Sequence, residues 1–460
     1  MADGRELPVT TKHRSTERGV SSRLVLYAAS AVVLTVLLAI WSPDPRLDVT
    51  VAGHPNYAGP IGASPLRPGA RTAAVDALPA AAEASLRLQS LLGQHTVLAA
   101  DMMRSRLRGD PDLAQAANAA LGENTDAMSG LIGSLYGVAA KTAFAAYWAA
   151  HVTALFNYAR ALADHDDALR AQAQTTIAKF ESDLAGFFAA ASQGRLPRDA
   201  AEAAVRMHIE HLEGQADAYA AGDYSKADRI YRQGYAHAFA LGKVLASTLL
   251  PPAAATALNA PIWRLRSELD RLLGEHVVVV IAAMRAGATN SPDFTAAAQT
   301  VNGNTRDLAG AMDTLFGPAP ATRFQSLWAN HVDALIGYSA AVVKNDDAGR
   351  ASARTKLTAF EGQFAAFLGA ATKNRMAAGA LANAFRMHDD MLVREADAFA
   401  GKDYRQAHDL AYSTYQDMFT LASQLANAFG ATVASRLPVG AVQTGRGGMA
   451  AVVERRGHGG

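Results

Sequence analysis

The chain has 460 residues, of which 50% are hydrophobic and 18% are charged. Its 43 Lys and Arg residues nearly balance its 42 Asp and Glu residues, so no excess of basic charge favours a nucleic-acid partner. The sequence contains no cysteine, which excludes disulfides, thiolate nucleophiles and cysteine-ligated metals.

The first predicted element is a transmembrane helix at residues 24–41. This run is apolar and uncharged, and it has about the length that crosses a bilayer. The basic residues of segment 1–23 predict that this end is cytoplasmic and that everything after the anchor is extracytoplasmic. A cleaved signal peptide is the alternative interpretation. The sequence therefore predicts a single-pass protein of the cell membrane.

Two segments carry no sustained helical period. Residues 42–80 are rich in Pro and Gly, which is typical of a spacer between a membrane and a folded domain. Residues 436–460 are rich in Gly and predict a disordered tail.

Between the spacer and the tail the sequence repeats itself. LLGQHTVLAADMMR begins at position 91, and the similar LLGEHVVVVIAAMR begins at position 272. RMHIEHLEGQADAYAAGDY begins at position 206, and RMHDDMLVREADAFAGKDY begins at position 386, at almost the same offset. Matches in the same order over most of each copy predict a tandem duplication, with copies at 81–250 and 262–435.

Each copy predicts six helices. Apolar residues recur at steps of three and four, and short breaks rich in Asp, Gly and Pro separate the helical stretches. Short connections force antiparallel neighbours, so the six helices form three α-hairpins. The predicted fold is all-α: a tandem duplication of a six-helix bundle, preceded by one N-terminal transmembrane helix.

Histidines recur on the apolar faces of these helices. His95, His151 and His208 are almost evenly spaced along the first copy, and the second copy has His276, His331 and His388 at similar intervals. Since each lies midway along the first helix of a hairpin, packing of the hairpins in register would bring each set to one level. Counting down the second helices adds His237 to the first level and Asp417 to the second.

Such a layer has two interpretations. Converging imidazoles predict a metal site in each copy, formed by His95, His151, His208 and His237, and by His276, His331, His388 and Asp417. Neighbouring methionines, including Met391, favour copper first, with zinc as the alternative and iron third. In the other interpretation the layer is structural, Asn124 and Asn304 are hydrogen-bond partners of the histidines, and the protein is a non-catalytic scaffold of the cell envelope.

No feature of the sequence predicts an enzyme. The chain contains neither a phosphate-binding P-loop nor a GxSxG nucleophile motif. Trp148 and Trp328 lie at helical spacing from other apolar residues and predict core packing. The predicted partners are the membrane, through the N-terminal helix, and metal ions. No protein partner can be predicted.

Overall fold

The protein is built from long α-helices. The structure is a computed structural model and describes residues 71–252, 255 and 258–434, with side chains between 81 and 432. These residues contain no strand, which confirms the predicted all-α class. The long helices that they form are α1 (Arg71–Leu107), α2 (Pro111–Tyr136), α3 (Val138–Asp164), α4 (Asp167–Ala191), α5 (Arg198–Ala220), α6 (Tyr224–Leu249), α7 (Pro261–Ala288), α8 (Phe294–Phe316), α9 (Pro318–Val343), α10 (Asp347–Ala371), α11 (Ala378–Ala400) and α12 (Tyr404–Ala434).

The predicted membrane anchor at 24–41 and the predicted tail at 436–460 lie outside the described residues. Among the helices that are described, none has both the length and the apolar character needed to cross a bilayer. Helix α1 begins at Arg71, inside the segment 42–80 that the sequence analysis assigned to the spacer. The alanines and leucines of this stretch favour continuing the helix ahead of residue 81, in spite of Pro79.

Aspartates fix the turns between helices of one hairpin. The side chains of Asp110, Asp166 and Asp223 accept hydrogen bonds from the backbone N–H groups three residues further on, at the starts of α2, α4 and α6. Asp346 does the same at the start of α10. These N-caps satisfy amide groups that lack partners within the helix, and in the first half of the chain they place each turn at the same distance after a histidine.

The first helices of the hairpins surround a common axis. Helix α1 packs against α2, α3, α5 and α6, and α3 also packs against α5. In the second half, α7 packs in the same way against α8, α9, α11 and α12, and α9 also packs against α11. We call α1–α6 the first group of helices and α7–α12 the second group. The helices that carry the recurring histidines are the inner ones of each group.

Two large hydrophobic cores result. One is formed mainly by α1–α6, and the other is formed mainly by α7–α12 and includes Tyr235 and Phe239 of α6. Where the groups meet, the hydroxyls of Tyr235 and Tyr415 lie 3.1 Å apart. Gly93 and Gly274 leave room for this pair, because a Cβ atom would lie 2.8 Å from the Tyr415 hydroxyl at Gly93 and 2.6 Å from the Tyr235 hydroxyl at Gly274. Each glycine lies two positions before an inner histidine, so the close contact between groups also fixes the height of those histidines.

Candidate metal centre

The first histidine cluster lies on the axis of the first group of helices. His95 of α1, His151 of α3 and His208 of α5 each offer one ring nitrogen within 4.8 Å of the others. Their side chains are buried, with exposed fractions of 0%, 0% and 3%. We call these three residues the first triad.

The second triad consists of His276, His331 and His388, from α7, α9 and α11. Its ring nitrogens also lie within 4.8 Å of one another, and its members are 0–1% exposed. In both groups of helices, packing brings together the three histidines that the sequence placed at one level.

The fourth residue predicted for each site lies elsewhere. His237 is buried, but its Nε2 is bonded to the carbonyl oxygen of Ala204 at 3.0 Å, and its ring faces His211. Asp417 is only partly buried and does not belong to the second cluster. Both were placed by counting positions along a helix, which predicts height but not rotation about the helix axis.

Neither the methionines nor the asparagines complete the triads. Met387, which aligns with Met207, is 58% exposed and lies on the outer surface. Met103 and Met284 are fully buried core residues, and the Met103 sulfur lies 3.8 Å from the Gln215 amide nitrogen. The Nδ2 groups of Asn124 and Asn304 donate to the carbonyls of Leu91 and Leu272, one turn before the inner histidines, so they connect helices.

Burial keeps the triad imidazoles neutral near pH 7. Removal from water lowers the pKa of His151 to about 3 and that of His388 to about 4. Burial, reinforced by the neighbouring histidines, also lowers the pKa of His95, His208 and His331 well below the usual value of 6.5. The pKa of His276 shifts in the same direction, although the Asn304 side chain opposes the shift. Neutral imidazoles have the lone pairs that metal ligation requires.

A chain of hydrogen bonds occupies the first triad. The indole Nε1 of Trp148 donates to His95 Nδ1 at 3.2 Å. Because an indole N–H can only donate, the proton of neutral His95 must be on Nε2. That Nε2 lies 3.0 Å from His151 Nε2 and donates to it. Two nitrogens that would face a metal ion are thus already bonded to each other.

The second triad is more open. Trp328 donates to His276 Nδ1 at 3.2 Å, as Trp148 does in the first triad. Within the described part of the chain, however, no hydrogen-bond partner is present for His276 Nε2 or for either ring nitrogen of His331 and His388. Buried polar atoms without partners are costly, and a ligand at the centre of the triad would satisfy those that face it.

The separations between the rings also make the second triad more open than the first. The three centroid separations of the second triad are 5.6, 5.6 and 5.8 Å, which makes a nearly equilateral triangle. Those of the first triad are 4.9, 5.5 and 6.4 Å, with His95 and His151 drawn together. Metal–nitrogen bonds of about 2.0–2.1 Å to three imidazoles place the ring centroids roughly 5–5.5 Å apart. The second triad is close to that size and symmetry.

An aspartate contacts the second triad alone. Asp389 is 2% exposed, and its Oδ1 lies 3.2 Å from His331 Nδ1. Burial, with a smaller contribution from Glu361, raises the pKa of Asp389 well above its usual value. The aligned residue in the first copy is Ile209, which is also buried. A carboxylate behind an imidazole is the usual arrangement around a metal-ligating histidine, since it fixes the ring and its tautomer.

Three of these contacts were not predicted from the sequence. The core positions of Trp148 and Trp328 follow from spacing, but their bonds to His95 and His276 join separate helices and leave no local signal. Asp389 did leave a signal, because RMHDD in the second copy stands where the first has RMHIE. An acidic residue next to a recurring histidine, where the matching stretch has an isoleucine, marks a difference between the two halves of the sequence.

A separate cavity of about 700 Å³ lies where the two groups of helices meet. Two ion pairs lie in its wall, Arg104 with Asp228 and Arg285 with Asp101. None of the six triad histidines lines this cavity. The candidate metal centre is therefore enclosed within a bundle and does not open into this cavity.

No protein-family model, curated protein or solved structure matches this chain. The geometry of the triads is thus the basis for any functional conclusion.

Proposed function

We propose that this is a membrane-anchored, extracytoplasmic metal-binding protein that holds a transition-metal ion in a buried histidine centre. The observation that carries the proposal is the second triad, in which three neutral imidazoles converge and five ring nitrogens lack any hydrogen-bond partner in the described residues. Binding is the whole of the proposed activity. The N-terminal run at 24–41 supplies the anchor, and tandem duplication accounts for the two sets of histidines.

The donor set favours copper first and zinc second. Three imidazoles leave one or two open positions, which suits both ions. Among divalent ions, copper binds a given set of nitrogen ligands more tightly than zinc. The methionines contribute little to this choice, because Met387 is exposed.

Binding at His276 must overcome the hydrogen bond from Trp328. A neutral imidazole that ligates through Nε2 carries its proton on Nδ1, where it would face the indole N–H. The indole must therefore give up its bond to His276 when the metal enters. This bond competes with the metal and limits the affinity.

Replacing Trp328 by phenylalanine is accordingly expected to tighten metal binding while it lowers the stability of the metal-free protein. A hydrogen bond worth about 0.5–1.5 kcal/mol corresponds to a gain in affinity of roughly 2–10-fold. Isothermal titration of Trp328→Phe with Cu²⁺ and Zn²⁺ measures the gain, and Trp148→Phe in the first copy is the matched control. Weaker binding by Trp328→Phe would mean that the indole supports the metal site.

The main experiment is a metal titration of the full chain purified in detergent and stripped with a chelator. We expect at least one tightly bound equivalent of Cu²⁺ or Zn²⁺, and we expect none in the double variant His151→Phe/His331→Phe. Phenylalanine suits both positions, because His151 already stacks on Phe180 at 4.2 Å and His331 on Phe360 at 4.4 Å. Circular dichroism checks that the variant is folded. Equal binding by the folded variant would refute the proposal.

The second candidate function is a scaffold with structural histidines, and the first triad favours it. The chain from Trp148 through His95 to His151 is a hydrogen-bonded layer that joins α1 and α3 without a metal. Such a layer fixes how helices pack. If the titration finds no metal, the second triad has this role as well.

A further inference from the structure

The two triads differ in one contacting residue, and we infer that only the second triad is a tight metal site, with Asp389 as the residue that positions its ligand His331. The inference rests on the proposed metal-binding function and assigns that function to the second triad alone. It predicts that each chain binds one metal ion tightly, although both halves of the sequence contain three recurring histidines.

Asp389 lies close enough to His331 to orient this ring as a metal ligand. The 3.2 Å separation joins Asp389 Oδ1 to His331 Nδ1, which leaves Nε2 as the ligating atom. The two atoms are within reach of each other but are not aligned as a hydrogen bond in this structure. A rotation that aligned them would hold a proton on Nδ1 and keep the lone pair on Nε2, which is the tautomer that a metal ion needs.

The charge of Asp389 points the same way. Apart from the His331 contact, neither carboxylate oxygen has a hydrogen-bond partner in the part of the chain described by the structure, and the side chain is almost fully buried. A buried carboxylate without a compensating cation is costly, and no Arg or Lys is paired with Asp389 there. A divalent ion bound by the adjacent triad would stabilise the ionised form of this carboxyl group.

The first triad has no carboxylate beside it, and so it lacks both a group that orients a histidine and a negative charge that favours a cation. Ile209 stands at the position of Asp389 and can neither orient an imidazole nor compensate a cation. His95 Nε2 and His151 Nε2 are 3.0 Å apart and bonded to each other. Two nitrogens on one metal ion are about 3.3–3.6 Å apart, so this bond must break before an ion can enter. His151 Nδ1 and His208 Nε2 also lack partners within the described residues, but the bond between His95 and His151 occupies the centre of the first triad.

The test compares single variants of the chelator-treated full chain by titration with Cu²⁺ and Zn²⁺. His151→Phe is expected to keep the tight equivalent, and His331→Phe is expected to lose it. Asp389→Asn is expected to weaken it by roughly 10–100-fold, the usual effect of removing a carboxylate behind a ligating histidine. Asp389→Ile, which copies the first triad, is expected to weaken it at least as much.

Thermal unfolding of the metal-free variants separates positioning from a merely structural role. Because Asp389 is a buried carboxylate without a cation, Asp389→Asn is expected to melt at the same temperature as the parent chain or higher, while its metal affinity falls. A purely structural residue would lower the melting temperature and leave the affinity of the folded protein unchanged.

Three results would overturn the inference: two equivalents of equal affinity, loss of the tight equivalent in His151→Phe, or unchanged affinity in Asp389→Asn. Complete absence of binding by the parent chain is a different result, because it refutes the proposed function itself.

Discussion

The metal-free protein is expected to unfold as the pH falls from about 6.5 towards 5, and this is the largest effect that we predict. All six triad histidines have a pKa lowered by burial, to about 3 for His151 and about 4 for His388. The unfolded chain, with histidines of ordinary pKa, binds more protons below pH 6.5. The stability that depends on neutral histidines is therefore fully present above pH 6.5 and is lost as the pH falls towards the folded-state values.

Each such histidine contributes up to about 1.4 kcal/mol of lost stability per pH unit, so six contribute roughly 8 kcal/mol per unit at most. Acidic groups whose pKa is raised by burial act in the opposite sense, and their contribution is lost as the pH rises. Within the described residues they include Asp389, Asp270 with a pKa of about 8 and Glu213 with a pKa of about 7. Burial also lowers the pKa of His211, His237 and His408, so nine histidines oppose seven such acidic groups. A domain stable by about 5–15 kcal/mol is then expected to lose its structure near pH 5.

Far-ultraviolet circular dichroism during a pH titration in chelator measures this transition. Excess Zn²⁺ is expected to move the midpoint to lower pH, since a bound ion stabilises the neutral form of its ligands. The variant His388→Leu removes one titrating group and is expected to make the pH dependence shallower by about one proton. Full helicity retained at pH 4 without metal would contradict the account of buried, neutral triads.

The second large effect concerns a buried ion pair between α7 and α11. Arg285 Nε donates to Glu395 Oε1 at 2.8 Å, and Arg285 Nη1 donates to Asp101 Oδ2 at 2.8 Å. Glu395 is 0% exposed, and burial raises its pKa although Arg285 opposes the shift. Arg285→Met is expected to destabilise the protein by about 3–5 kcal/mol, because it leaves a buried carboxylate unpaired.

The first copy provides the control for this prediction. Arg104 aligns with Arg285, and its Nε donates to the neutral Gln215, which aligns with Glu395. The double variant Arg285→Met/Glu395→Gln is therefore expected to recover much of the loss, since no charge is then buried at position 395. Urea unfolding at pH 7.5 measures each difference. If Glu395→Gln gave no recovery, the loss would come from packing and not from the uncompensated charge.

Local patterns predicted the helices and the histidine layer well. The aspartate caps at Asp110, Asp166 and Asp223 determine where the hairpins turn, and the nearly constant length of the hairpins then brings His95, His151 and His208 to one height. Both signals lie in the order and spacing of residues along the chain, so the sequence alone is enough to read them.

Contacts between helices could not be predicted from local sequence patterns. His237 and Asp417 have about the right height, but height along a helix does not determine which way a side chain points. The bonds from Trp148 and Trp328, and the contact of Asp389 with His331, depend on how separate helices rotate against each other. These contacts distinguish a hydrogen-bonded triad from a metal site, and only the packed structure supplies them.

Anomalous X-ray scattering from crystals of the copper-loaded protein shows directly whether His276, His331 and His388 hold a metal ion. We expect one strong peak on the axis of the second group of helices, about 2.0–2.1 Å from one nitrogen of each of the three histidines. A peak confined to surface residues, or no peak at the second triad, would contradict this expectation.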